Sequence, residues 1–483
     1  MRHKVSVWML IVLSLFIAVI CINILFGKDN QIGDITPTAG INLAPDQASH
    51  RLADAIKFRT ISYRDPGKFD YSQFEEFHSY LKTSFPLVHQ TLRLEKVNQY
   101  SLLYTWQGTD NSLKPVILAA HFDVVDIERD TLSQWQHAPF SGDISAGKIW
   151  GRGARDNKSQ VMAILEAVEY MLKNGVTPKR TIILAFGHDE EVLGTNGAQK
   201  IAELLKSRNI VPECVIDEGG AVVENTIPGL KGKTALIATA EKGYLTLELS
   251  INKESCHSAE PEKQTTIGII CEAIVKLQNN PFPATLHYVE PTLSYGIANM
   301  DFPYNVVFSN LWLTGGIVEK VLLQDNASAA MLRTTIAPTI IEGGYQDNVL
   351  PASAKAIINI RLLPGESVEH AIAKVAKTID DPNIHIKRIG FSNVAPSPSP
   401  TYSQSFIILC RTIKQIFPDT VCIPWMTTGG TDSKHYAVLT PYIYRFTPSF
   451  KEKGEISHGM DERIPIDNYM QYIEFYVNLI SNF

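Results

Sequence analysis

Two neighbouring glutamates, Glu190 and Glu191, close the segment TIILAFGHDEE, between an apolar run and the glycine-bearing turn LGTNGA. Adjacent like charges repel, and on an extended backbone neighbouring side chains point opposite ways. One carboxylate can then face a cation while the other faces a reacting water; a solvated acidic turn is the plain alternative. Other acids and imidazoles follow apolar runs in the same manner. His121 and Asp123 follow VILAA, Asp156 lies in GRGARDNK ahead of a helical pattern, Asp217 follows ECVI, and His458 lies far downstream in ISHGMDERIP. Singly each has an ordinary role: Asp156 could cap a helix, and Asp217 with Glu218 could form a solvated turn. Gathered at one edge they would crowd negative charge, and bound cations are the usual remedy.

The elements that must position these groups alternate in type. KPVILAAHFDVV, KRTIILAF and PECVIDEGG read as strands, and SQVMAILEAVEYMLKN and GAQKIAELLKS as helices. In the first helix Val161, Ile164, Leu165, Val168, Met171 and Leu172 recur at helical spacing, so one face packs on a sheet. This order predicts an α/β fold with a mostly parallel sheet, whose ligands sit beyond the strand C-termini. Near 241 the character changes. GYLTLELSINK and AKAIINIRLL read as half-buried strands, accompanied by helices at TTIGIICEAIVKLQNN and VEHAIAKVAKTID, which together make an inserted α+β unit. SNVAPSPSP (392–400) then marks a hinge back to the first unit.

The chain has 483 residues, 45% hydrophobic and 19% charged, a globular composition long enough for more than one domain. A net charge of -6 offers no basic footprint, which excludes nucleic acid as a partner. Six cysteines are too few for a disulfide scaffold. Cys21 lies in the first apolar segment, and Cys214, Cys256, Cys271, Cys410 and Cys422 are either reduced core residues or include a bridge. Residues 5–26, VSVWMLIVLSLFIAVICINILF, carry no charge and are long enough to cross a bilayer core of about 30 Å. Arg2 and Lys4 precede the run, which places the N-terminus in the cytoplasm and the bulk of the chain outside it. The alternative is a cleaved signal peptide. The run exceeds an ordinary signal core and lacks a small-x-small cleavage site, so an uncleaved signal anchor is expected.

Taken in order, HFDVV, PFSG, IWGRGARDNKS, DEEVLGTNGA, IDEGG, CHSAEP, DNVLP, NIRLLPG, TGGTDSKHY and ISHGMDERIP give the chain its likeness. It resembles the di-zinc metallopeptidases that include carboxypeptidase S, aminoacylase and bacterial carboxypeptidase G. The nearest branch is that of carboxypeptidase S and the secreted N-acyl-amino-acid hydrolases. The chain is expected to divide into a transmembrane signal anchor at 5–26, a linker at 27–45, a catalytic domain in two parts at 46–240 and 394–483, and between them an inserted lid at 241–393, which the resemblance implies to be a dimerisation-type domain. The resemblance implies two Zn2+ per subunit, in a site whose donors also accept Co2+ or Mn2+. His121, Asp156, Glu191, Asp217 and His458 match the metal ligands, with Asp156 as the bridge. Asp123 matches the carboxylate that orients His121, and Glu190 the general base. His257 matches a lid histidine that meets the developing oxyanion, although Ser255 and Cys256 stand where relatives commonly carry glycines. Arg361, Asn348, Gly429 and Gly430 match positions near the substrate, a guanidinium fork being suited to a carboxylate.

The implied substrate is an amide next to a free carboxylate, either a short peptide losing its C-terminal amino acid or an N-acyl amino acid. The resemblance also leaves a homodimer through the lid as an expected assembly. A non-catalytic amino-acid-binding protein on the same fold is the reading from another class. Its sign would be a lost Glu190 or a lost ligand, and each is retained.

Overall fold

The computed structural model describes residues 40–450 and 458–483, together with scattered positions between 14 and 37. Helix α1 (Pro45–Ile56) begins with proline in its first turn, where the missing N–H costs no helical hydrogen bond, and Asp46 sits near the positive end of the helix dipole. Then come α2 (Tyr71–Ser84), β1 (Arg93–Val97), β2 (Ser101–Trp106), β3 (Val116–His121), α3 (Lys158–Lys173), β4 (Ile182–Gly187) and α4 (Ala198–Ser207). Strands β5 (Cys214–Asp217), β6 (Ala221–Glu224) and β7 (Lys233–Glu241) lead to β8 (Gly243–Asn252), α5 (Thr266–Asn279), α6 (Leu311–Leu322), β9 (Thr335–Gly343) and β10 (Ser353–Leu362). The chain closes with α7 (Val368–Ile379), β11 (His385–Arg388), α8 (Gln404–Ile416), β12 (Val421–Thr427), β13 (Ile443–Arg445) and α9 (Ile466–Asn482).

Nine strands make the main sheet, in the order β1-β2-β4-β3-β5-β13-β7-β12 with β6 paired to β7. The sheet is mixed, which corrects the expectation of a mostly parallel one. The central pairs β4–β3, β3–β5 and β5–β13 are parallel, whereas β1–β2, β2–β4, β13–β7 and β6–β7 are antiparallel. The alternating strand–helix run extends only from β3 to β5, and short turns on either side return the chain antiparallel. Helix α3 also differs from its expected one-sided packing. Val161, Ile164, Leu165 and Val168 are fully buried, and so are Lys158, Ser159, Gln160 and Glu166, because α9 and α1 cover the face that the sheet does not. Glu166 is neutralised there by an ion pair with Arg51.

A second, antiparallel sheet runs β9-β10-β8-β11. Leu245, Leu247, Leu249 and Ile251 alternate along β8, and Ala356, Ile358, Ile360 and Leu362 along β10, burying one face against α5 and α7. The opposite face carries Tyr244 and Arg361, directly paired across the two strands. Residues 283–331 form short helices and α6, which pack Leu293, Ile297, Met300, Phe308 and Val318 against Leu236 and Ile423 at the far edge of the main sheet.

Among the described residues no helix is long and apolar enough to cross a membrane. Most of the expected anchor at 5–26 and much of the linker at 27–45 lie outside the described residues. Among the described residues no two cysteines form a disulfide, and Cys214, Cys410 and Cys422 are buried.

Candidate metal centre

Strand geometry delivers the candidate ligands to one place. His121 is the last residue of β3 and is buried. Its Nε2 stands 3.1 Å from Asp156 Oδ1 and 3.0 Å from Glu218 Oε1. On the other side His458 Nε2 lies 3.1 Å from Asp156 Oδ2 and 3.2 Å from Glu191 Oε2. Asp156 thus offers one carboxylate oxygen to each of two triads, His121–Asp156–Glu218 and Asp156–Glu191–His458. Glu190 and Glu191 form a further group with His121.

Asp123 ties the parts together. Its buried carboxylate lies 3.3 Å from His121 Nδ1, accepts the hydroxyl of Ser62 at 2.7 Å, and accepts the backbone N–H of Glu190 and of Glu191 at 3.1 Å each. One carboxylate therefore fixes both an imidazole and the turn that presents the paired glutamates, the arrangement by which ligand orientation is commonly set. That turn also needs glycine. A Cβ on Gly194, which has φ +68°, would meet Asp432 Oδ1 at 1.9 Å, and one on Gly187 would meet Asp432 Oδ2 at 2.5 Å.

Asp217, expected as a ligand on the His121 side, lies beside the cluster with its Oδ2 buried and without a hydrogen-bond partner among the described residues. Asp217 ends β5 with its Oδ1 accepting the N–H of Glu218 at 2.9 Å, and it belongs to neither triad. Glu218, one residue later and on the opposite side of the chain, makes the approach to His121 instead. A second residue missing from the sequence expectation is Glu462. Its Oε1 accepts the backbone N–H groups of Gly153, Arg155 and Asp156 at 2.8–3.0 Å, and its Oε2 accepts Arg152 Nη1 at 2.7 Å. Arg152 in turn donates to the carbonyl of His458 at 3.0 Å. Glu462 therefore clamps the Asp156 loop to the turn that carries His458. Its signal lay in the stretch SHGMDERIP, which held an unassigned acid four residues past the histidine.

The electrostatics are those of a cation site. Burial, then the Asp156 charge, pushes Glu218 up to about 8; burial, reinforced by Glu191, pushes Glu190 up to about 8; burial and Asp156 push Glu191 up to about 7. Hydrogen bonds to Asp156 and Glu191 raise His458 to about 10. For His121 burial works downward, but the Glu218 charge and its acidic partners outweigh it and hold it well above the ordinary value. Among the described residues Glu191 Oε1 is buried with no hydrogen-bond partner. Imidazole and carboxylate donors, a carboxylate shared between two triads and an orphaned buried oxygen fit two divalent cations.

The centre opens on a cavity of about 1190 Å³ that Asp156, Glu190, Glu191, Glu218 and His458 share with Gly429 and Gly430. The glycine loop is held from below: Glu241 accepts Arg445 Nη2 at 2.7 Å and the N–H of Thr431 at 2.8 Å. Arg361 lies over the Tyr244 ring at 4.7 Å and feels the Glu190 charge. The remaining two expected residues stand apart from the lining of this cavity. His257 is exposed on the short strand Cys256–His257, where its Nδ1 accepts the N–H of Ala259 at 3.0 Å. Asn348 is exposed, and its carbonyl accepts the N–H of Ser258 at 3.1 Å.

A mixed sheet that gathers two carboxylate–imidazole triads around one shared aspartate defines a metallohydrolase. Residues 117–482 match peptidase family M20/M25/M40, and the chain belongs to that family. It is 41% identical to carboxypeptidase S-like 2 of Dictyostelium discoideum, over 94% of this chain and 87% of the relative. It is 37% identical to the N-fatty-acyl-amino acid synthase/hydrolase PM20D1 of Mus musculus, over 89% and 86%. In fold it is similar to an M20 family metallo-carboxypeptidase from Sulfolobus solfataricus, with a TM-score of 0.67 at 18% identity over 90% of this chain and 98% of that one.

Proposed function

We propose that the protein is a zinc-dependent exohydrolase that cleaves an amide next to a free carboxylate, releasing C-terminal amino acids from short peptides. It is held by an N-terminal anchor with its catalytic part outside the cytoplasm. The observation that carries the reading is Asp156, which gives one oxygen to each triad while Glu190 stands beside both. His121, Asp156 and Glu218 would hold one ion, and Asp156, Glu191 and His458 the other. When bound, the two ions supply Lewis acidity towards water and the scissile carbonyl.

Glu190 takes a proton from the attacking water and hands it to the leaving nitrogen, and a carboxyl raised by burial is suited to both transfers near neutral pH. Asp123 holds the Glu190–Glu191 turn through two backbone N–H groups, so the base keeps its place during the transfer. Arg361, braced on Tyr244, presents a guanidinium to the substrate carboxylate, and the Gly429–Gly430 backbone allows close approach. The test is turnover of dipeptides and N-acyl amino acids by metal-loaded wild type and Glu190→Gln. A loss of about 10²–10⁴ in kcat with metal content unchanged supports the assignment. Full turnover by Glu190→Gln overturns it.

A second reading, hydrolysis of N-acyl amino acids with bulky apolar acyl groups, is favoured by another cavity. A chamber of about 620 Å³ is walled by Val192 and Leu193, the next residues after the paired glutamates, and by Phe69, Tyr100, Tyr244 and Phe391. Lauroyl amino acids turned over faster than dipeptides would select this reading; the reverse order selects the carboxypeptidase.

A further inference from the structure

Helix α6 wears its apolar residues outward. Val318 packs inward among Leu236, Leu293 and Ile423, while Trp312, Ile317 and Val321 on the other side are 60%, 69% and 59% exposed. Leu313 shares that outward face, and Phe302 and Tyr304 extend the apolar exposure from the preceding turn. Exposed apolar surface of this extent marks a binding surface. What covers it follows from where the N-terminal segment arrives. The buried Asn310, at the N-terminal cap of α6, accepts through Oδ1 from Trp312 Nε1 at 3.3 Å and from Asn23 Nδ2 at 3.0 Å. Asn23 lies near the end of the uncharged run 5–26. Leu15, Val19 and Ile22 of that run are exposed as well.

We infer that the outward face of α6 is a membrane-docking surface, lying in the boundary between headgroups and acyl chains of the same bilayer that takes the anchor. The inference rests on the anchor proposed above. The chemistry of the face suits that depth: a tryptophan with an apolar body and a polar edge, β-branched aliphatics beside it, and the exposed Lys320, whose stem can lie along apolar surface while its ammonium reaches lipid phosphate. Leu236, on the inner side of the helical layer, also lines the metal cavity, so docking through α6 fixes the height of that cavity above the membrane.

The test uses the full chain in phosphatidylcholine vesicles containing lipid brominated near the headgroup. The sequence has six tryptophans, and Trp8 in the anchor is expected to be quenched by lipid too, so wild type is compared with Trp312→Phe. The expected result is loss of the shallow quenched component in Trp312→Phe. The same loss is expected in Ile317→Glu with Val321→Glu, with dipeptide turnover unchanged. A chain that floats with the vesicles yet shows identical quenching in wild type and Trp312→Phe keeps the anchor and overturns the docking face. A chain that does not float at all overturns both. Trp312 shielded from iodide as chain concentration rises, without bromolipid quenching, assigns the face to a second copy and also overturns the inference.

Discussion

The protonation of the cluster makes metal binding a proton-release reaction, and the number of protons distinguishes Glu218 from Asp217. In metal-stripped protein, His121 and His458 are held above neutrality by their acidic neighbours, Glu218 sits at about 8 and Glu191 at about 7. At pH 7 an ion entering the His121–Asp156–Glu218 triad must expel the protons of His121 and Glu218, about two in all. The ion in the other triad expels one from His458 and about half of one from Glu191, giving a total of about three and a half. Zinc titration calorimetry in buffers of different ionisation enthalpy reads that total as a slope. Ionised water would add equally to every variant, so differences between variants are the cleaner quantity. Glu218→Gln should lower the count by about one and weaken the pH dependence of affinity by about tenfold per pH unit between pH 6 and 8. Asp217→Asn should leave the count unchanged, because Asp217 stands outside the groups gathered around His121 and Asp156 and turns one oxygen to the N–H of Glu218. The reverse pattern, with Asp217→Asn losing a proton and Glu218→Gln losing none, would refute the reasoning.

Three further outcomes are expected. Arg445→Met strands the Glu241 carboxylate, which is buried with only Thr431 left to it, and should cost about 3–5 kcal/mol in denaturant unfolding, much of it recovered in the double variant with Glu241→Gln; a loss below about 1 kcal/mol would show that the pair is not desolvated. Arg361→Lys keeps the charge but loses the fork and the stack on Tyr244, so KM for free-carboxylate substrates should rise about tenfold with kcat nearly unchanged, and an unaltered KM would remove Arg361 from the substrate. Burial beside Phe122 pushes His78 down from 6.5 to about 4, so between those pH values the unfolded chain binds a proton that the folded chain refuses. Stability from this group is therefore whole above pH 6.5 and falls by about 3 kcal/mol as pH drops through 4. His78→Phe should abolish that part of the acid sensitivity in urea midpoints, and an unchanged pH profile would contradict it.

The apolar runs before His121, Glu190 and Asp217 made strand ends legible, since long buried strands read as continuous hydrophobic stretches. That same continuity hid the choice between Asp217 and Glu218. All four residues of β5 are buried, so no alternation along CVID reveals which of two adjacent acids turns towards the cluster; only the pleat in three dimensions does. The mixed character of the main sheet was hidden for a related reason, because β13 joins from beyond residue 440 and brings antiparallel pairing with β7 that no local pattern encodes. Glu462 was invisible as a clamp because its partners, Gly153 to Asp156, are backbone N–H groups some three hundred residues earlier. His257 and Asn348 were placed by likeness to relatives, and in this structure both are exposed, where Cys256–His257 pairs antiparallel with Val349–Leu350 within the inserted unit.

The most direct measurement is anomalous diffraction from zinc-loaded crystals, collected on either side of the metal absorption edge. Two peaks per chain are expected, one among His121, Asp156 and Glu218 and the other among Asp156, Glu191 and His458, with Asp156 contacting both. A single peak in fully active protein, or a pair of ions that Asp156 does not bridge, would contradict the proposed centre.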